Sequence, residues 1–85
     1  MRRYFFNVHN GTGLTEDQEG LELLNLEAAR EQALLGIRSL VGEELETGTI
    51  DLNGRLDICD DQGSVLLSVP FKEAVKVRAP DKDKE

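Results

Sequence analysis

The 85-residue chain has no tryptophan, one cysteine, one histidine and two prolines. A lone cysteine excludes an internal disulfide framework and fits a reducing compartment. One histidine and one cysteine fall short of the roughly four nitrogen or sulfur ligands of a zinc site, so zinc would need a second copy and carboxylates. No apolar run approaches the roughly 18 residues of a membrane span. The aromatic run after Arg2 and Arg3 is only Tyr4-Phe5-Phe6, too short for the apolar stretch of about 7–15 residues in a secretory signal. The expectation is a cytoplasmic protein with no membrane partner. The triplet Asn10-Gly11-Thr12 matches a glycosylation acceptor, which has no consequence without secretion.

Positive charge is also scarce. Ten basic residues stand against seventeen acids, a net charge of −7, and nucleic-acid affinity rests on Lys and Arg neutralising phosphates. Direct nucleic-acid binding is not expected. The acids fall in two blocks: six against one arginine over 16–31, and seven against one arginine over 43–61. Solubility is the simple account of such a surface, and a basic partner steered onto it is the sharper one.

What the chain does have is one domain's worth of pattern. Over residues 3–9, Tyr4, Phe6 and Val8 alternate with Phe5, Asn7 and His9, as in a strand. Asn10-Gly11-Thr12-Gly13 suits a tight turn. The acidic stretch 14–19 has no clear pattern, and a short second strand is expected near 19–24, with Gly20 as a bulge or bend. From Leu26 the apolar residues Leu26, Ala29, Ala33, Ile37, Leu40 and Val41 recur at helical spacing, with Leu34 and Leu45 at the edge of the stripe. Asn25 suits the N-cap, and Gly48 stops the helix just after Glu46. Leu35 lies opposite the stripe, beside Ala28 and Gly42.

After the turn at Asn53-Gly54, residues 55–59 read as a strand. Asp60-Asp61-Gln62-Gly63 connects it to a partner strand over 64–69, which Pro70 ends. Residues 71–77 fit a helical turn or a last strand. Residues 1–79 are expected to form the single compact domain, and the charged segment 80–85 to be disordered. The fold class expected is α+β, ββαββ: a four-stranded, mainly antiparallel sheet with one long helix on one face. The helix should meet Tyr4, Phe6, Val8, Leu56, Ile58, Val65, Leu67, Val69 and Phe71. The open face should carry Phe5, Asn7, His9, Asp57, Cys59, Leu66 and Ser68.

Chemistry-bearing motifs are weak. Asp57-x-Cys59-x-Asp61 breaks a calcium-loop pattern at its second ligand, and Asp51-x-Asn53-x-Arg55 breaks it at its third. Gly11-Thr12-Gly13 lacks the third glycine and following helix of a dinucleotide loop. No metal or cofactor is expected. Nucleophilic catalysis would have to pair Cys59 with His9, the sole imidazole; an ordinary strand residue and an exposed strand-end histidine is the simpler reading, and no catalytic residue is assigned.

Arg3-Tyr4-Phe5-Phe6 is followed by Asp17-x-Glu19-Gly20-x-Glu22-Leu23 and then by Leu26-x-x-Ala29-Arg30-x-x-Ala33. Asp60-x-x-Gly63 and Pro70-Phe71-x-x-Ala74-Val75 come after the helix. On these residues, up to about Val77, the chain resembles a family of short bacterial proteins known only as a domain of unknown function. The resemblance implies a compact cytoplasmic protein and brings no activity or catalytic residues. Gly36 and His9-Asn10 depart from the family's usual pattern. A fainter architectural likeness, over residues 3–41, is to HicB-type antitoxins. The function expected is a non-catalytic interaction or regulatory module that self-associates or binds another, basic protein. Contacts are expected through Leu35 and Ala28 on the helix back, or Phe5 and Leu66 on the open sheet face. The alternative is an antitoxin-like neutraliser of a basic partner.

Overall fold

The computed structural model describes residues 1–11 and 13–76. Its elements are β1 (Arg2–Asn10), β2 (Gly13–Thr15), β3 (Leu21–Leu23), α1 (Leu26–Thr47), β4 (Arg55–Cys59), β5 (Val65–Pro70) and α2 (Phe71–Ala74). All strand pairings are antiparallel, in the order β2-β1-β4-β5, with β3 also on β1. The fold is therefore the α+β arrangement expected: an open antiparallel sheet with one long helix against it. The expected boundary at 79 and the tail 80–85 lie outside the described residues.

Helix α1 begins and ends for local reasons. The Ala28 N–H donates to the Asn25 side-chain oxygen at 2.9 Å, satisfying one of the free amides of the first turn. At the other end Gly48 takes a left-handed φ of 89° and its N–H donates to Leu45 C=O at 3.1 Å. Between them Ala29, Ala33, Ile37 and Val41 are buried, one per turn. Ala29 and Ala33 have no bulk, so the helix can lie close to Leu56, Ile58 and Val69 of the sheet. Beyond Val41 no helix residue is buried, and Leu45, at the expected edge of the stripe, is mostly exposed. Leu35 is exposed, whereas Ala28 in the first turn is half-buried.

The second strand differs from expectation. Instead of one strand near 19–24 there are two short ones, β2 at the end of β1 and β3 at its start. Val8 pairs with Thr15 and Tyr4 with Leu21, so three residues of β1 face the five residues 16–20. Two extra residues cannot stay in a ladder, and they bow out of it. Asp17 organises the bow. Its carboxylate accepts the Phe6 N–H at 3.2 Å, the Glu19 N–H at 3.2 Å and the Gly20 N–H at 3.1 Å. Gly20 returns the chain to β1 with φ +73°, where an added Cβ would lie 2.9 Å from Tyr4 O and from the Phe5 ring. Only glycine suits that place.

Val65 also departs from its expected place. The β4–β5 register runs Leu56↔Val69 and Ile58↔Leu67, then shifts so that Cys59 pairs with Val65. This bulge turns Val65 away from the helix and leaves it 55% exposed. After Pro70 the chain makes a helical turn, not a strand, as far as Ala74; Val77 lies outside the described residues. The Phe71 N–H donates to Gly54 C=O at 2.9 Å, and its ring is fully buried. Arg38 Nε donates to Ala74 C=O at 2.8 Å, fastening α2 to α1.

Gly54 makes room for that ring. A Cβ there would lie 2.8 Å from Phe71 Cε2 and 2.9 Å from the His9 carbonyl oxygen. Gly54→Ala is expected to destabilise the fold by about 1–3 kcal/mol through overpacking, measured as a lowered urea midpoint at unchanged slope. Gly36→Ala, with nothing within 4 Å of its added Cβ, should instead leave stability unchanged or raise it by up to about 1 kcal/mol.

Candidate functional site

The helix covers one face of the sheet, and the site is built on the other. Alternation places Phe5, Asn7 and His9 of β1 beside Cys59, Asp57 and Arg55 of β4, through the pairs Phe5↔Cys59, Asn7↔Asp57 and His9↔Arg55. Ser68 of β5 stands opposite Asp57, and Val65 opposite Cys59. No helix among the described residues lies over this face, yet Asp57 and Cys59 are only 4% and 3% exposed. They sit on a central strand, where the side chains of both neighbouring strands close over them.

Asp57 is the hub of that face. Its Oδ1 accepts from Ser68 Oγ at 2.6 Å and from Arg55 Nε at 3.2 Å. His9 Nε2 lies 3.2 Å from Oδ2. Burial alone would push the carboxyl pKa up. Hydrogen bonds from Ser68 and Arg55, with the charges of Arg55 and His9, outweigh it and hold the pKa below the usual carboxylate value. Ser, Asp and His are thus together, but in the wrong order for nucleophilic catalysis. The serine hydroxyl donates to the carboxylate and not to the imidazole, and a carboxylate of lowered pKa is a weak base.

Cys59 and His9 do not meet. Cys59 is level with Phe5, four residues along β1 from His9, a distance of about 13 Å at roughly 3.3 Å per residue. Burial pushes the Cys59 thiol pKa up, and the charges of Asp57 and Asp60 push it further, against a hydrogen bond from Asn7. Asn7 Nδ2 donates to its Sγ at 3.6 Å. These conditions favour the thiol over the nucleophilic thiolate.

Beside Cys59 the face dips into an open depression of about 270 Å³, lined by Phe5, Asn7, Cys59, residues 16–18, Asp60, Asp61 and Gly63. The Asp17 bow forms one wall and the β4–β5 turn the other. The Asp17 N–H donates to Asn7 Oδ1 at 2.9 Å, which joins the bow to the floor. In the turn, Asp60 Oδ1 accepts the Gln62 and Ser64 N–H groups, each at 2.9 Å. Glu16 and Asp61 are exposed at the rim. The floor is apolar and aromatic at Phe5, and the rim is acidic.

Of the residues expected to make contacts, Phe5 lines this depression. Leu66 does not; displaced by the bulge, it borders a second hollow of about 290 Å³ with residues 1–4, Asp60 and Asp61. Leu35 and Ala28 are on the helix, away from both. Asp17 was not singled out as a functional residue from the sequence. Its signal is an aspartate followed two and three residues later by Glu19 and Gly20, the spacing of a side-chain-closed turn. Among the described residues, no group of three or more His, Cys, Asp or Glu is placed to hold a metal ion. No described helix is long and apolar enough to cross a membrane.

Asp57 makes stability depend on pH. A carboxylate whose pKa is lower in the folded state stabilises above its unfolded value, near about 3.9, and that contribution is lost as the pH falls through the lower folded value. Asp57→Asn is expected to cost about 2 kcal/mol at neutral pH. The gap between the two proteins should close progressively once the pH drops below about 4, measured by urea denaturation across that range.

No curated protein and no solved structure matches the chain. One family model does, the one described as Domain of unknown function (DUF6894), over residues 3–72. The match runs from the start of β1 into α2 and so takes in both walls and the floor of the depression. It brings no link to HicB-type antitoxins. The chain belongs to this family of domains of unknown function.

Proposed function

We propose that the protein is a non-catalytic interaction module that receives a basic segment of another protein on its open sheet face. The depression beside Cys59 carries this reading. Its aromatic floor suits the aliphatic stem and charged head of an Arg or Lys side chain, and Glu16, Asp60 and Asp61 at its rim supply the opposite charge. The wider surface agrees, because both acidic blocks of the sequence contribute to that rim: Glu16 from the first, Asp60 and Asp61 from the second. Asp57 and Cys59 belong to the scaffold of the face; neither has the partner or the charge state a nucleophilic mechanism needs. An antitoxin-like role, neutralising a basic protein, is a special case of the same contact.

The test is calorimetric titration with short peptides rich in Arg or Lys, and with Glu-substituted versions of the same peptides. Binding of the basic series alone is expected, weakening steeply as salt rises. Phe5→Ala, and Glu16→Gln combined with Asp61→Asn, should each weaken it by roughly tenfold, the charge variant mainly through slower association. Equal binding by the wild type and both variants would place the contact elsewhere.

A further inference from the structure

The two edges of the sheet are finished differently. On the β1 side the edge is two three-residue strands separated by the Asp17 bow, a short and interrupted template that another chain cannot easily extend. The opposite edge is β5, six residues long, with no strand beyond it among the described residues. From 62 to 71 the sequence carries no charge, in a chain where charged residues make up 32%. Val65 and Leu66 on that strand are 55% and 38% exposed. An edge strand that stands alone in water is commonly protected by charge, by proline or by a bulge; this one has no charge, and its proline and bulge lie at its two ends, leaving the middle open.

The phase of the ladder shows what the edge offers. Phe71 N–H bonds to Gly54 C=O, in step with the pairs Leu56↔Val69 and Ile58↔Leu67. Alternate residues therefore face β4, and Ser68 and Pro70 turn their backbone groups outward. The missing Pro70 N–H falls on this free side, where a proline is tolerated. The bulge beside Leu66 limits the other end, so a flush pairing is centred on Ser68.

We propose that this edge pairs with β5 of a second copy of the chain, antiparallel about a two-fold axis, so that one sheet runs through both copies. Charge selects this occupant and this direction. Antiparallel pairing brings the Asp60-Asp61 turn before one β5 to the end of the other, where Lys72 follows, and the two-fold axis makes the match twice. Parallel pairing would set Asp61 against Asp61. Two chains of net charge −7 also meet here along an uncharged line.

Light scattering on the full chain across the micromolar range tests this. The mass is expected to rise to that of two chains. Val65→Lys and Leu66→Lys, both at exposed positions, should keep their circular dichroism and weaken the dimer at least about tenfold by setting a charged side chain into the uncharged seam, opposite Phe71 and Pro70 of the other copy. Lys72→Glu should weaken it as well, and adding Asp61→Lys should restore it. A chain that stays monomeric at high micromolar concentration overturns the proposal, as does a dimer indifferent to Val65→Lys and Leu66→Lys. A dimer weakened by those two but not rescued by the charge exchange overturns the antiparallel arrangement. Basic-peptide binding should be the same for the weakened dimer of Lys72→Glu, whose side chain starts on α2 at the far end of β5 from Cys59, as for the wild type, which separates this proposal from the reading of the open face.

Discussion

Everything in this domain follows from having one helix to cover a sheet. Ala29, Ala33, Ile37 and Val41 press that helix against Leu56, Ile58, Val69 and Phe71, and this contact is the core of the domain. A small domain has little core to spare, so the four-residue α2 contributes Phe71 and Ala74 to it. Nothing comparable is left for the other face. Its middle has to be sealed by its own side chains.

Two aspartates do that sealing in different ways. Asp57 is buried as a carboxylate, at a cost that donors from Ser68 and Arg55 and the nearby His9 offset. It thereby ties together residues of three strands: Ser68 directly opposite on β5, and the neighbouring pair His9 and Arg55 on β1 and β4. Asp17 is spent on backbone amides, closing a bow that would otherwise leave Phe6 N–H without a partner on that edge. The bow then stands up as a wall, and the depression exists because the strand beneath it was interrupted. The geometry of the candidate site and the integrity of the sheet edge are one feature.

The functional reading joins these constraints. An uncovered face whose polar centre is neutralised internally has only its periphery to offer a partner, and that periphery is acidic around the half-buried ring of Phe5. The uncharged β5 edge lies in the plane of the sheet, and the depression lies on its open face.

Local rules were legible in the sequence wherever neighbours along the chain set the outcome. The helix and its caps at Asn25 and Gly48, strands β1, β4 and β5, and the turn at Asp60–Gly63 all depend on residues within a few positions of one another. The alternation also named the residues of the open face, apart from Val65 and Leu66. The bow at 16–20, the bulge that exposes Val65 and separates Leu66 from Phe5, and the distance between Cys59 and His9 were not legible. Each is a matter of register between strands far apart in sequence, and a one-residue shift in register moves a side chain to the other face. The scarcity of cysteine, histidine and positive charge determined which chemistries this chain lacks the groups for. Which of its acids is buried, which builds a wall and which stands at the rim of the depression was decided only when the strands were brought side by side.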